Sequence, residues 1–367
     1  MSQVRLMREM RPAAPPVAFP ASGKRILRQP SPGTLAVALQ ISKPNSLDWM
    51  TAMDCVCEPH ERERWGLILA GGEGVRLRPL TRVVYGDERP KQFCALLGRE
   101  TLLERTRRRA ALAIPPGRVL VSLVRAHEPF WSPLLGGMPP HCALVQPQGR
   151  GTAPAILHGL SRIAATAPLA AVAIFPADHW VSDDRALMAH VLAAFSAVRV
   201  RPELVVLLGV APEDAETDYG WIEPGGPVRG GTRLYRVQRF WEKPTPALAE
   251  DLFERGCLWN SFILVARVPA LAALVRSAAP DLASAFAAVQ PAIGTGEEAP
   301  ALEALYATLP SVGFSDRVLA TRPANLAVLP VQGLAWSDWG QPARVLATLG
   351  RLGIRPAWAG RVAPRSA

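Results

Sequence analysis

The sequence predicts an α/β fold built on a mostly parallel sheet with helices on both faces. Three observations carry this expectation: short continuous apolar runs, amphipathic stretches alternating with them, and a glycine-rich turn directly after the first run. The runs are 65–70 (WGLILA), 118–124 (RVLVSLV), 171–176 (AVAIFP) and 203–210 (ELVVLLGV). A strand with one solvated face alternates apolar and polar residues; these do not, so both faces are expected to be covered. Helices are expected over 101–113, 153–165 and 184–198. Later strands at 234–241 and 261–266, with helices at 246–255 and 269–278, suggest a substrate-binding subregion inserted beside the first half. No internal repeat is present.

The chain has 367 residues, 49% apolar and 20% charged, enough to bury a substantial core. No run approaches the ~20 apolar residues of a membrane span, and the arginine-dotted start carries no apolar signal core. Residues 1–62, with a Pro-, Ala-, Ser- and Gly-rich stretch from Pro12 to Pro32, read as a disordered extension. A catalytic domain is expected over 63–353 and a tail over 354–367. Five cysteines, Cys55, Cys57, Cys94, Cys142 and Cys257, form neither a disulfide framework nor a zinc pattern, and reduced thiols fit the cytoplasm. The net charge of +10 is dispersed among arginines without aromatic interleaving. Polyanionic small substrates explain part of that basicity, and nucleic acid is the weaker alternative.

The turn after the first run is Leu69-Ala70-Gly71-Gly72-Glu73-Gly74-Val75-Arg76-Leu77. Glycines at a strand end let backbone N–H groups approach phosphate. The dinucleotide fingerprint fails because Leu77 stands at its third glycine, and no P-loop G-K-[ST] follows. Two cations lie close by in sequence, Arg76 and the Lys91 of Arg89-Pro90-Lys91-Gln92-Phe93. Alone, Lys91 would read as a solvated surface lysine; beside an anion-binding turn it reads as a phosphate ligand.

The stretch LILAGGEGVRLRPLT followed by RPKQF resembles the signature of sugar-1-phosphate nucleotidyltransferases, especially mannose-1-phosphate guanylyltransferases. Further pieces follow in that family's order: 146–155 (QPQGRGTAPA), 175–179 (FPADH), 219–223 (YGWIE), 240–244 (FWEKP), 259–261 (WNS) and 336–340 (WSDWG). The resemblance covers about residues 65 to 350. It implies a Rossmann-like, GT-A-like fold with a mixed, mostly parallel sheet and an inserted sugar-binding subregion. It also implies in-line attack of a sugar phosphate on the α-phosphorus of a nucleoside triphosphate.

By that resemblance, Arg76, Lys91 and Asp178 serve catalysis. Leu69, Gly71, Gly72, Gly74, Gln146, Gly151 and Thr152 bind the nucleotide, with the Gln146 amide both donating to and accepting from a purine. Gly220, Glu223, Glu242, Lys243 and Asn260 meet the sugar phosphate. Asp178 and Asp338 hold Mg²⁺, a hard cation suited to two carboxylates plus phosphate oxygens. His179 is expected to be structural, and Trp221 and Trp259 to fill the core rather than pack a sugar.

Segment 146–155 matches the guanylyl version better than the thymidylyl or adenylyl ones, favouring GTP. No membrane or nucleic-acid partner is implied, and a homodimer stays open.

Four departures stand out. Val75 replaces the family's usual Thr or Ser, and Arg78 its Trp. Phe262 stands where the family generally has Gly, which puts the sugar's identity in question, and Thr321 replaces a closing Glu. Arg76, Lys91, Asp178, Lys243 and Asp338 are all kept, which argues for an enzyme. Other triphosphates or hexose 1-phosphates, a non-catalytic nucleotide-sugar-binding paralogue, and a dinucleotide-dependent oxidoreductase are the alternatives.

Overall fold

The computed structural model describes residues 63–229 and 233–362, so the expected extension 1–62, with Cys55 and Cys57, and the end of the tail lie outside the described residues. Eleven strands occur in chain order among the described residues. They are β1 Arg64–Leu69, β2 Val119–Val124, β3 Ala143–Gln146, β4 Ala171–Pro176, β5 Trp180–Val181, β6 Val205–Val210, β7 Gly220–Pro227, β8 Tyr235–Glu242, β9 Leu258–Arg267, β10 Leu326–Val331 and β11 Trp336–Ser337. Nine form one mixed sheet in the order β3-β2-β1-β4-β9-β6-β10-β8-β7, and β5 pairs with β11. Pairing is parallel through β3-β2-β1-β4 and between β6 and β10. β9 runs antiparallel between β4 and β6, and β7 and β8 close the far edge antiparallel.

Every residue of β2, β4, β6 and β10 is buried, as their unbroken apolar runs require. Period-two alternation splits neighbours between two core layers. Leu67, Val172 and Ile174 pack with Ile156 and Leu160 of the helix Thr152–Thr166 on one face. Ile68, Ala173 and Phe175 pack with Leu187 and Val191 of the helix Asp184–Val200 on the other.

Local chemistry sets the helix starts. Thr101 Oγ1 accepts from the Glu104 N–H at 3.2 Å while Glu104 Oε2 accepts from the Thr101 N–H at 2.8 Å, a reciprocal cap for the helix Leu102–Ala110. Asp183 Oδ1 likewise accepts from the Arg185 and Ala186 N–H groups at 2.8 and 2.9 Å.

Candidate active site

The site is built at the carboxyl ends of β1 and β4, where open parallel sheets bind ligands. The chain leaves β1 into the glycine turn, and the buried Gln92 clamps it: Nε2 donates to the Ala70 carbonyl at 3.0 Å and the Gly72 carbonyl at 2.8 Å. Gly74 turns the backbone through φ 61, and the Leu77 N–H closes back on its carbonyl at 2.9 Å. Arg76 is half-exposed; its Nη1 donates to Asp218 Oδ2 at 2.7 Å and its Nη2 lies 4.0 Å from Asp338 Oδ2.

Lys91 is 8% exposed, not the solvated lysine that its residue type would suggest. Its ammonium donates to the Asp338 main-chain carbonyl and lies 3.3 Å from Asp178 Oδ2. The β5–β11 pairing, Trp336 to Val181 and Ser337 to Trp180, holds the two acidic segments beside one another.

Asp338 Oδ1 accepts three hydrogen bonds, from Tyr219 Oη at 3.0 Å, the Gly340 N–H at 2.8 Å and Arg344 Nη1 at 2.9 Å. Burial works against its charge, yet Lys91, His179 and Arg344 hold its carboxyl below the usual range. Burial and the Asp338 charge push the Tyr219 phenol up, which keeps it a donor.

The resemblance did not single out Tyr219 or Arg344. Tyr219 lies inside a quoted motif. Arg344, on the helix Pro342–Arg351, carries no sequence signal; it also bonds Asp218 and Glu216 and lies 4.6 Å over the Tyr219 ring.

His179 fits the structural reading. Burial pushes its imidazole down to about 4, and it meets Trp336 edge-on at 5.2 Å. Trp221 and Trp259 are buried in the same aromatic cluster.

Among the described residues no group of three or more His, Cys, Asp or Glu is placed to hold a metal. Asp178, whose Oδ2 lies 3.3 Å from the Lys91 ammonium, and the Oδ2 of Asp338, 4.0 Å from Arg76 Nη2, nevertheless supply two hard oxygens. That donor set fits Mg²⁺, which usually takes one or two carboxylates together with phosphate oxygens and water.

A cavity of about 260 Å³ opens beside this cluster. Its walls are Leu69, Gly71, Gly72, Val124, Gln146, Gly149, Gly151, Thr152, Ala155, Pro176, Asp178, His179 and Phe262. All the expected nucleotide residues except Gly74 therefore line one space, with Asp178 among them.

The Gln146 amide is engaged by the protein, which corrects the expectation that it both donates and accepts. Its Nε2 donates to Ser122 Oγ at 2.9 Å and the Leu123 carbonyl at 3.3 Å, and its Oε1 accepts from Tyr306 Oη at 3.2 Å. Both amide hydrogens are thus engaged, and only acceptor capacity on Oε1 remains. Gly151 has φ 85, and a Cβ there would sit 2.4 Å from the Val312 carbonyl oxygen. Thr152 Oγ1 accepts from the Phe314 N–H at 2.8 Å, so its side chain ties the loop to the helix start.

The expected sugar-side residues separate into two groups. Gly220, Glu242 and Asn260 meet: a Cβ on Gly220 would lie 2.8 Å from Glu242 Oε2 and 3.3 Å from Asn260 Cβ. Burial, reinforced by Asp316, pushes the Glu242 carboxyl up to about 7. Lys243, next in chain, is exposed at φ 47, with its N–H on the Tyr219 carbonyl at 3.1 Å.

Glu223 is a correction. It stands three residues after Gly220 on β7, whose pairing with β8 is regular from Gly220 to Glu223 and shifts register just beyond, so it faces the opposite side, where Arg255 bonds its carboxylate.

Phe262 has φ 60, in the left-handed region that favours glycine. It is held by a bulge in β9, with the Phe262 N–H on Asn260 Oδ1 at 3.1 Å.

Comparison with known proteins shows the family of the chain. The family model described as nucleotidyl transferase matches residues 65–348. Xanthan biosynthesis protein XanB of Xanthomonas campestris pv. campestris (strain B100) is 30% identical over 287 residues, covering 76% of this chain and 58% of that protein. Mannose-1-phosphate guanylyltransferase of Sinorhizobium fredii (strain NBRC 101917 / NGR234) is 31% identical over 282 residues, covering 74% and 52%. The chain thus spans between half and three-fifths of the length of these two relatives. A solved structure described as mannose-1-phosphate geranyltransferase from Thermus thermophilus is 32% identical with a TM-score of 0.67, covering 78% of this chain and 79% of that one.

Proposed function

We propose that this chain, which belongs to the nucleotidyl transferase family, joins a nucleoside triphosphate to a sugar 1-phosphate in the cytoplasm, with GTP and mannose 1-phosphate as substrates. The observation that carries the reading is Lys91, buried between Asp178 and Asp338 at the strand edge beside the glycine turn. A phosphate oxygen of the sugar phosphate attacks the α-phosphorus, the α–β anhydride bond breaks, and pyrophosphate leaves with the electron pair. Such a reaction needs positioning and charge neutralisation more than covalent help.

In this reading Lys91 faces the transferring phosphoryl group, and Arg76 exchanges Asp218 for the outer phosphates. Backbone N–H groups of Gly71, Gly72 and Gly74 approach the phosphate chain. Asp178 and Asp338 would hold Mg²⁺, which supplies Lewis-acid neutralisation of phosphate charge when bound. Glu242 and Asn260 hydrogen-bond sugar hydroxyls, and Lys243 meets the sugar phosphate. GTP is supported by segment 146–155 and by guanine's N–H donors, which suit the acceptor capacity left on Gln146. Mannose 1-phosphate is supported by the names of the Sinorhizobium and Thermus relatives.

Pyrophosphate release with Mg²⁺, mannose 1-phosphate and each triphosphate in turn tests the proposal. Release with GTP above the other triphosphates is expected. Release with a different triphosphate would overturn the base assignment, and silence across a panel of sugar phosphates would overturn the reaction.

A further inference from the structure

We propose that Trp339 is a positioning residue for the charged cluster: its buried indole holds the turn that places Asp338 against Lys91 and Arg344. The inference deepens the nucleotidyl transfer proposed above and rests on its assignment of Asp178 and Asp338 to Mg²⁺.

Trp339 is fully buried and has φ 48, in the left-handed region that a bulky side chain rarely enters. Such a conformation persists only where the surroundings over-determine it. Here it folds the chain back on itself at Asp338. The Gly340 N–H reaches Asp338 Oδ1 at 2.8 Å, and the Trp339 N–H lies on Ser337 Oγ at 3.3 Å. A Cβ on Gly340 would sit 2.3 Å from Asp338 Oδ2 and 2.9 Å from Arg76 Nη2, so the turn has no slack. Within it the Asp338 carbonyl accepts from Lys91 while the carboxylate accepts from Arg344.

The indole supplies the over-determination. Its ring stacks on Trp180 with centroids 6.2 Å apart and planes 9° from parallel. Its N–H donates to Thr348 Oγ1 at 3.1 Å, and that hydroxyl donates to the Arg344 carbonyl at 2.8 Å. Trp180 stands two residues after Asp178, so the stack joins the two segments that carry the carboxylates. The β5–β11 ladder between those segments has two residue pairs, too few to fix them unaided. Trp339 and Trp180 belong to a third apolar cluster, apart from the two layers on the sheet, with Leu77, Cys94 and Val345 among its members. Leu77 follows Arg76, Cys94 stands three residues after Lys91, and Val345 follows Arg344. Each of these charged side chains is thus tied through the backbone to one small core that contains Trp339.

The test uses the full chain and its Trp339→Leu, Trp339→Phe and Thr348→Val variants, with Leu271→Ala in a separate core layer as a packing control. The readouts are Tm, the Mg²⁺ half-saturation of pyrophosphate release, and the calorimetric Kd for pyrophosphate in the presence of Mg²⁺. Trp339→Leu is expected to raise the half-saturation and the Kd by about 10-fold or more, the scale on which loss of a group orienting a ligand acts. Trp339→Phe, which keeps a ring for Trp180, should recover most of that loss. Thr348→Val should raise both by about three- to tenfold, the scale of one hydrogen bond. Leu271→Ala should lower Tm and leave both within about twofold, because a distant packing loss acts independently.

Wild-type values in folded Trp339→Leu, or an equal shift in Leu271→Ala, would overturn the inference. If Trp339→Leu does not fold, wild-type values in Thr348→Val overturn it instead. Absence of pyrophosphate release from wild type would overturn the transfer reading, while the calorimetric Kd still decides the role of Trp339. Absence of both release and binding would overturn the two together.

Discussion

Lys91 joins two acidic segments that lie far away along the chain, and its burial leaves little water to replace it. Lys91→Met should lower kcat by about 10²–10³-fold, the usual scale for removing a preorganised charge donor; steady-state pyrophosphate release measures it. Arg344 acts one step back, holding Asp338 Oδ1 while Tyr219 and Gly340 hold it too. Arg344→Met should reduce activity by about 10–100-fold, as loss of a group orienting a ligand does, with a raised half-saturation for Mg²⁺ that general destabilisation would not produce.

Glu242 has a sign that can be worked out. Its folded carboxyl titrates at about 7 because of burial and Asp316, above its ordinary 4.5. The folded state therefore binds the proton more tightly, and stability falls as pH rises through that window and levels off above it. Thermal melts from pH 4.5 to 7.5 should show that fall in wild type and a flatter profile in Glu242→Gln.

At the scale of elements, the start of the helix Thr152–Thr166 depends on Gly151, which the loop at Val312 approaches so closely that no Cβ fits. Gly151→Ala should destabilise by about 1–3 kcal/mol through the combined clash and positive φ, read as a lowered Tm by calorimetry. Buried strands are legible in the sequence because continuous apolar runs leave no other economical burial, and β1, β2, β4 and β6 fall within two residues of expectation.

β9 is less legible. It spans Leu258–Arg267 and was expected only over 261–266, because the bulge at Ser261 and Phe262 interrupts its pattern. Its antiparallel direction in the middle of the sheet has no signature in a run buried on both faces. The opposite facing of Glu223 and Gly220 follows from strand alternation, which becomes visible only once β7 is recognised as a strand.

At the scale of the whole molecule, the sheet begins at Arg64 and the family match at residue 65. We propose that residues 1–62 are dispensable for folding and turnover: a chain beginning at Glu63 should match the full chain in Tm and in pyrophosphate release, and a loss in either would assign that segment a role. Among the described residues no helix is long and apolar enough to cross a membrane.

The amino-acid sequence by itself determined the α/β class, the family and most of the residues that line the cavity, because strand burial and a glycine-rich turn both act over a few consecutive residues. Only the tertiary structure decided that Lys91 is buried, that Tyr306 and Ser122 engage the Gln146 amide, that Arg344 braces Asp338, and that Glu223 turns away from Glu242 and Asn260. Apart from the Arg344–Asp338 pair, which spans one turn into the next helix, these are contacts between elements far apart in the chain, set by sheet order and strand register, which local periodicity does not encode.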